Sequence, residues 1–214
     1  MRVKICGMMR RVDVEAALDN GADAVGFVVG TPGSQRNLRL ETARRLMKNV
    51  PILSTKVAVT TTSNLKLLRK ICLTLNPDAL QLHSHDQNMF RNLRKKNPEL
   101  KIIIATAIRD HRSIFDAGQT TRYSDAVLAD TPSHSAAGGT GKTHDWKLTA
   151  QLRKHIHPHP LILAGGLTAA NVIRAIRTVK PYAVDVSTGV ETRIGVKNHQ
   201  KMKEFIRNAK EIIA

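Results

Sequence analysis

Residues 3–29 read VKICGMMRRVDVEAALDNGADAVGFVV and have the pattern of a strand, a helix and a second strand. Apolar and β-branched residues crowd VKIC at 3–6 and DAVGFVV at 23–29, whereas VDVEAALDN at 12–20 has the spacing of an amphipathic helix. A helical crossover is the usual connection between parallel strands, because an antiparallel pair needs no more than a tight turn. The stretch therefore predicts a β–α–β unit.

The same alternation continues to the end of the chain. Further strands are predicted at 55–60, 79–83, 101–108, 126–130, 161–166 and 183–188, and helices at 40–48, 64–75, 86–96, 111–118, 146–156, 169–179 and 199–213. The strands are nearly continuous apolar runs, which is typical of a parallel sheet covered on both faces. Eight such units favour a closed (β/α)8 barrel, and periodicity leaves an open doubly wound sheet as the alternative.

Length and composition indicate one intracellular domain. A chain of 214 residues is long enough for one hydrophobic core, and we expect a single domain over residues 1–214. Its apolar runs fall short of the roughly 20 residues that span a bilayer, and the start, MRVKICG, has no apolar signal core. Two cysteines, Cys6 and Cys72, are too few for a disulfide framework, so we expect free thiols and a cytoplasmic location.

The chain carries a formal net charge of +17, from 34 Lys and Arg against 17 Asp and Glu. Such an excess fits either a nucleic-acid partner or a basic surface that attracts an anionic metabolite. The basic residues are dispersed, and aromatic residues total 3%, so the sequence offers no stacking platform for single-stranded nucleic acid. We therefore expect a small anionic substrate and no nucleic-acid or membrane partner, although composition does not explain the size of the excess.

Cys6 ends the first predicted strand, on the same side as Lys4 two residues earlier. Barrel active sites form at the C-terminal ends of the strands. A thiol at this place can act as a general base if a nearby cation such as Lys4 lowers its pKa toward neutrality. The alternative is an inert buried cysteine, the interpretation we give to Cys72 in a predicted helix.

Asp130 ends the sixth predicted strand, AVLAD, directly before a long loop rich in Thr, Ser and Gly. A carboxylic acid there can donate a proton across the barrel mouth, provided that burial raises its pKa. An aspartate at the start of a loop also commonly accepts hydrogen bonds from nearby backbone N–H groups. Position alone leaves both roles open.

Two glycine-containing turns, LAGGL at 163–167 and VSTGVE at 186–191, end the seventh and eighth predicted strands. Glycine lets the backbone approach a ligand closely, and the helix that follows presents free N–H groups to an anion. Phosphate sites after strands seven and eight recur in barrels. Simple tight turns explain one such motif more easily than two in successive units, so the pair predicts a phosphate site.

Arg36 and His83 are weaker candidates. Arg36 lies in the loop after the second strand, where its guanidinium can bind a carboxylate or remain solvated. His83 ends the fourth strand and is expected to contact substrate or line the wall. Although His85 follows closely, no matching carboxylates accompany the pair, and we expect no metal site.

The motifs together resemble the phosphoribosylanthranilate isomerase family of tryptophan biosynthesis. The resemblance runs from end to end and rests on KICG at 4–7, GADAVGFVV at 21–29, QLH at 81–83, GGTGK at 138–142 with Asp145-Trp146, LAGGL with Asn171-Val172, and DVSTGVE at 185–191. AGGL alone occurs in several phosphate-binding barrels, whereas the order and spacing of the whole set are specific.

The resemblance implies an Amadori rearrangement of N-(5-phosphoribosyl)anthranilate that needs no cofactor. Cys6 matches the family's general base, which removes the C2 proton of the ring-opened imine. Asp130 matches the general acid that protonates the ribose ring oxygen, and Arg36 the arginine that holds the anthranilate carboxylate. The phosphate-binding turns fall on Gly165, Gly166, Ser187, Thr188 and Gly189, and positions lining the sugar site fall on His83 and Asp185. Such an enzyme is expected to be a monomer or a homodimer.

The chain departs from the family pattern at four places. Ser84 follows QLH where Gly is frequent, and the third strand ends VAVTTT at 57–62 in place of the commoner GVF-type ending. GTPGSQ precedes Arg36 in place of a Ser-Pro-Arg pattern, and Asn198 stands where Asp is usual.

Two rival functions remain. The related isomerase of histidine biosynthesis uses Asp in place of Cys at the end of strand one, although a bifunctional enzyme is compatible with the motifs. A non-catalytic barrel that binds phosphate ligands or RNA would need neither Cys6 nor Asp130.

Overall fold

Eight parallel strands close into a barrel in the computed structural model, which describes residues 1–84, 86–132 and 143–211. The strands follow one another around the barrel in chain order, and the eighth pairs with the first, Arg2 opposite Ala183 and Ile5 opposite Val186. The predicted (β/α)8 barrel is confirmed, and the open sheet is wrong. Of the described helices, none has the length and apolar character needed to cross a membrane.

Each barrel strand is followed by a helix. The strands are β1 Arg2–Ile5, β2 Ala24–Val28, β3 Thr55–Thr60, β4 Ala79–Leu82, β5 Lys101–Ala107, β6 Ala126–Asp130, β7 Leu161–Leu163 and β8 Ala183–Val186. The helices are α1 Arg11–Asp19, α2 Leu40–Met47, α3 Leu65–Leu75, α4 Gln87–Lys96, α5 His111–Thr120, α6 Trp146–Ile156, α7 Val172–Val179 and α8 His199–Lys210.

β7 and β8 end two or more residues earlier than predicted, and one hairpin was not predicted. β7 stops at Leu163 because Gly165 and Gly166 adopt φ angles of +83° and +65°, which no strand residue takes. After β8, a short 3-10 turn leads into an antiparallel pair of very short strands, β9 Glu191–Arg193 and β10 Val196–Lys197. This hairpin lies between β8 and α8.

The inside of the barrel is filled by alternate residues of the strands. They form an apolar cluster of their own, separate from the larger cluster that contains the residues packed between strands and helices. The inner cluster comprises Cys6, Val28, Val57, Val59, Ala79, Ile103, Ala105, Ala126, Leu128, Ile162, Ala164 and Ala183. Because strand side chains alternate, positions two residues beyond these face the same interior. Asp130 and Asp185 therefore point toward the C-terminal mouth of the barrel.

Asn198 occupies the N-cap of α8, and its side chain accepts a hydrogen bond of 3.0 Å from the backbone N–H of Lys201. Asn and Asp are about equally good at this position. The departure from the usual family residue thus leaves the start of the helix intact.

Candidate active site

Cys6, His83, Asp130 and Asp185 lie at the C-terminal ends of β1, β4, β6 and β8. Closure of the barrel brings these ends together around one mouth, although the residues are up to 179 positions apart in the chain (185 minus 6). Cys6 is fixed by its backbone, whose N–H donates to the carbonyl of Val186 at 2.8 Å. The sites predicted from four separate motifs thus share one end of the barrel.

Lys4 and Asp185 form a buried ion pair, with 2.9 Å between Nζ and Oδ1. Burial alone would lower the pKa of Lys4, but attraction to Asp185 and Cys6 outweighs it and raises the pKa above its ordinary value. Lys4 is therefore charged, and the negative charge of Asp185 offsets much of its effect on other groups nearby.

The Cys6 thiol packs against the bare Cα of Gly26. A Cβ on Gly26 would lie 2.9 Å from Cys6 Sγ and 3.2 Å from Lys4 Nζ, so the thiol and the ammonium group are neighbours. Even so, burial raises the pKa of Cys6, and the opposing effects of Lys4 and Lys197 do not reverse it. Lys4 does favour the thiolate, but burial outweighs this effect and Asp185 pairs with Lys4, so Lys4 alone does not bring the pKa of Cys6 down toward neutrality.

Burial also acts on Asp130, and here it raises the pKa to about 6. The nearby charge of Asp185 adds to the rise, whereas Lys4 and a 2.7 Å hydrogen bond from the backbone N–H of Thr131 oppose it. A carboxyl group with this pKa holds its proton in an appreciable fraction of molecules near neutral pH. Asp130 accepts a backbone hydrogen bond, as the loop interpretation predicts, and its raised pKa leaves it able to donate a proton.

His144, which lies just before α6, connects the Asp130 turn to that helix. Its Nδ1 lies 3.0 Å from Thr131 Oγ1 and its Nε2 lies 2.5 Å from Thr149 Oγ1. Burial lowers the pKa of His144 to about 4, so the ring is neutral. Sequence reasoning missed this contact because His144 follows the long loop with no motif pointing to a partner.

The turn that follows Asp130 requires glycine at position 165. Gly165 adopts φ +83°, and a Cβ there would overlap Thr131 and lie 2.9 Å from Asp130 Oδ1. Gly189 is similar, since a Cβ on it would overlap the carbonyl oxygen of Leu167. The two glycine turns therefore pack closely against their neighbours, which the tight-turn interpretation predicts.

We expect Gly165→Ala to lower kcat by about a hundredfold, the scale of a roughly 1 Å misplacement of a catalytic group. The added methyl group must push Thr131 away and displace the Asp130 carboxyl with it. Gly33→Ala is the matched control, because a Cβ there meets nothing within 4 Å. Steady-state rates and melting temperatures of both variants check this, and an unchanged kcat in a folded Gly165→Ala protein would contradict it.

Asn171 holds the β7 turn in shape. Its Oδ1 accepts from the Thr168 N–H at 2.8 Å, and its Nδ2 donates to the Gly166 carbonyl at 3.0 Å. The Asn171-Val172 motif is thus a structural support for the glycine turn that precedes α7.

Arg36 is buried and paired, so the solvated-loop alternative is wrong. Its Nε and Nη2 donate to the two carboxylate oxygens of Glu191 at 2.9 and 2.6 Å, and Nη2 also donates to Thr188 Oγ1 at 3.2 Å. Lys197 Nζ contacts Glu191 Oε1 at 2.9 Å. Glu191 and Lys197 were not singled out from the sequence, although Glu191 is the last letter of the quoted DVSTGVE motif.

His83 has a neutral ring in this environment, because burial lowers its pKa to about 4. Its Nε2 lies 2.8 Å from Nε2 of Gln81 on β4.

Of the remaining sequence candidates, His85 and the GGTGK segment at 138–142 lie outside the described residues. Within the described ranges there is no cluster of three or more His, Cys, Asp or Glu suited to a metal ion.

Comparisons with known proteins agree on one family. A family model described as N-(5'phosphoribosyl)anthranilate (PRA) isomerase matches residues 3–208. The N-(5'-phosphoribosyl)anthranilate isomerase of Methanothrix thermoacetophila is 43% identical over 98% of both chains.

Solved structures give the same result. Dimeric phosphoribosylanthranilate isomerase from Thermotoga maritima, crystallised as mutually generated monomers, superposes with a TM-score of 0.86 at 33% identity, over 99% of this chain and 100% of that one. An isomerase in complex with reduced 1-(o-carboxyphenylamino)-1-deoxyribulose 5-phosphate gives 0.85 at 32% identity, with the same coverage. The chain belongs to the N-(5'-phosphoribosyl)anthranilate isomerase family.

Proposed function

We propose that this isomerase converts N-(5'-phosphoribosyl)anthranilate to 1-(2-carboxyphenylamino)-1-deoxyribulose 5-phosphate, with Asp130 as general acid and Cys6 as general base. The observation that carries the proposal is the buried Asp130 carboxyl, with a pKa of about 6, at the same barrel mouth as the Cys6 thiol. The two groups end different strands, so a sugar bound across the mouth meets an acid on one side and a base on the other.

Asp130 acts first, by giving its proton to the ribose ring oxygen. The bond between that oxygen and C1 breaks, and the nitrogen lone pair forms a protonated imine with C1. With a pKa near 6, about a tenth of the Asp130 groups carry the proton at pH 7, which is ample for a general acid. The resulting Asp130 carboxylate lies near the charged Lys4.

Cys6 then removes the proton from C2. The electrons of the C2–H bond form a C1–C2 double bond, and the imine nitrogen becomes a neutral amine. Protonation at C1 and loss of the hydroxyl proton at C2 give the ketone. The electrons move within the substrate throughout, so the reaction needs no external oxidant or reductant and no cofactor.

The remaining site residues bind the two anionic ends and the sugar. The phosphate lies at the two glycine turns, where the binding positions are Gly165, Gly166, Ser187, Thr188 and Gly189. Arg36 binds the anthranilate carboxylate, and His83 and Asp185 line the sugar site. The neutral His83 ring can donate or accept a hydrogen bond with a sugar hydroxyl.

The protein is further proposed to work in the cytoplasm as one domain, as a monomer or a homodimer. Ile52 and Leu53, in the loop between α2 and β3, are 98% and 94% exposed, and an interface would cover such side chains. A sizing column at several concentrations separates the two oligomeric states.

The substrate is tested with a fluorescence assay on freshly made N-(5'-phosphoribosyl)anthranilate, with the product identified by mass spectrometry. We expect turnover of this compound and slower or no turnover of the phosphoribosyl compound that the related isomerase of histidine biosynthesis rearranges. Absence of any turnover would contradict the proposal.

RNA binding that persists at physiological salt would favour the non-catalytic barrel, because non-specific phosphate contacts weaken steeply with salt.

A further inference from the structure

The β9–β10 hairpin places two buried charges behind Arg36. Glu191 begins β9 and Lys197 ends β10, and their side chains are 3% and 0% exposed. Burying charges is costly unless each is paired. Arg36, Glu191 and Lys197 thus form a buried cluster of three paired charges beside the barrel mouth.

Glu191 accepts two hydrogen bonds from one edge of the Arg36 guanidinium group. Both carboxylate oxygens accept a hydrogen bond, from Nε at 2.9 Å and from Nη2 at 2.6 Å. This paired geometry fixes the plane of the guanidinium group, which a single hydrogen bond would not. The second N–H of Nη2 donates to Thr188 Oγ1 at 3.2 Å. Among the described residues Nη1 has no hydrogen-bond partner, so its N–H groups are the ones that can still bind a substrate carboxylate.

The stem of Arg36 lies on Gly7, next to Cys6 in the chain. A Cβ on Gly7 would lie 2.7 Å from Arg36 Cδ, and Gly7 has φ +75°. Lys197 adds a second tie, since its Nζ donates to the Ser187 carbonyl at 3.1 Å. The guanidinium group is therefore held at a set position relative to the thiol and to the β8 turn.

The charges of the cluster sum to a net +1. Arg36 carries a positive charge, and Glu191 carries a negative one, with its pKa held below the ordinary value by Arg36 and Lys197 despite burial. Burial lowers the pKa of Lys197, but the 2.9 Å contact with the Glu191 carboxylate opposes this and favours its positive form. A bound monoanion brings the sum to zero. A carboxylate is thus the ligand that completes the cluster, whereas a neutral aromatic ring would leave a buried charge uncompensated.

We propose that Glu191 and Lys197 are positioning residues for Arg36, so that the β9–β10 hairpin sets the preference for a substrate with a carboxylate on its aromatic ring. Glu191 orients the guanidinium group, and Lys197 supplies the net charge that the substrate's carboxylate neutralises. This inference rests on the proposed function, in which Arg36 binds that carboxylate.

The test compares two substrates, N-(5'-phosphoribosyl)anthranilate and its aniline analogue, which lacks the carboxylate. Glu191→Gln is expected to raise KM for the anthranilate compound by about tenfold, the scale of one charge-assisted hydrogen bond. Its kcat should stay within about threefold, because the proton-transfer groups are untouched, and kcat/KM for the aniline analogue should change by less than about twofold. Glu15→Gln, which breaks an exposed ion pair with Arg11, is the matched control.

Two further variants separate positioning from folding. Glu191→Gln removes the anionic partner of Lys197 and leaves Nζ with the Ser187 carbonyl. The charge-balanced Glu191→Gln/Lys197→Met protein is therefore prepared as well, and in it the net +1 lies on Arg36 alone. Positioning predicts that KM for the anthranilate compound remains raised in this double variant. Arg36→Met/Glu191→Gln should be no worse than Arg36→Met alone, because Glu191 acts through Arg36.

The outcomes distinguish this inference from the proposed function. If Arg36→Met raises KM for the anthranilate compound but Glu191→Gln does not, the positioning role is wrong and the proposed function stands. Additive effects of Arg36→Met and Glu191→Gln, or a wild-type KM in the charge-balanced variant, would also overturn it. If Arg36→Met leaves KM unchanged, the carboxylate role of Arg36 fails and the inference fails with it.

Discussion

Cys6→Ser is expected to lower kcat at least about a hundredfold, the lower end of the usual effect of removing a general base. The serine hydroxyl is close to the thiol in size, so the buried space next to Gly26 remains filled. The pKa of a serine hydroxyl, however, lies far above that of a thiol, and Lys4 is already paired with Asp185. Too little alkoxide forms to remove the C2 proton, whereas substrate binding, and hence KM, should change little.

The matched control for this substitution is Cys72→Ser. Cys72 is the other cysteine of the chain, half-buried in α3 and away from the barrel mouth. It should keep the wild-type rate and show no more than a modest change in melting temperature. Equal rates in Cys6→Ser and Cys72→Ser, measured by loss of substrate fluorescence, would remove Cys6 from the mechanism.

Asp130→Asn is expected to lower kcat by roughly a hundredfold to ten-thousandfold, because asparagine cannot donate the proton that opens the ring. Its pH dependence should differ as well. In the wild type, the fraction of Asp130 that is protonated falls above pH about 6, while the fraction of Cys6 that is thiolate rises. The two changes offset each other, so kcat/KM levels off. In the variant the thiolate is the remaining titration, and the residual kcat/KM should rise by about tenfold per pH unit until the thiol has ionised.

The same substitution should stabilise the protein at alkaline pH. The folded-state pKa of Asp130, about 6, lies above the ordinary 3.8, so the folded protein holds this proton more tightly than the unfolded chain. Above pH 6 the buried carboxylate therefore costs stability, by at most about 3 kcal/mol. Asparagine removes that cost, and its amide oxygen can still accept from Thr131.

Thermal unfolding at two pH values checks the sign. Asp130→Asn should exceed the wild type in melting temperature by roughly 2–8 °C at pH 8, and the difference should shrink to a small fraction at pH 4, where both side chains are neutral in the folded protein. Titration of His83 is common to both proteins and cancels. Asp116→Asn, at an exposed helix position, is the control. If the wild type were the more stable protein at pH 8, the buried Asp130 carboxylate would not cost stability, and its raised pKa would be contradicted.

Most of the barrel could be predicted because periodicity in the sequence reports burial. Each strand is a short apolar run, and each helix repeats its apolar residues at helical spacing. The β9–β10 hairpin could not be predicted this way, since strands of three and two residues are too short to show alternation. The end of β7 was misplaced for a related reason, because AGG continues an apolar run although its glycines turn the backbone.

The site was predicted in part for the same reason. Cys6 and Asp130 stand at strand ends, which the sequence reveals directly. The partner of Arg36 was not foreseeable, because Glu191 is 155 residues away and contact arises when the loops after β2 and β8 meet. The raised pKa of Cys6 was not foreseeable, because the sequence places Lys4 beside the thiol but does not reveal how fully the thiol is buried or that Asp185 pairs with Lys4.

The central claim is that Asp130 and Cys6 together isomerise the phosphoribosyl compound. It is tested most directly by the initial rate at which N-(5'-phosphoribosyl)anthranilate disappears, with the wild type and Cys6→Ser/Asp130→Asn side by side at pH 7. The account predicts rapid consumption by the wild type, and a rate for the double variant that equals spontaneous decay of the substrate. A wild type no faster than spontaneous decay, or a double variant within about tenfold of the wild type, would contradict it.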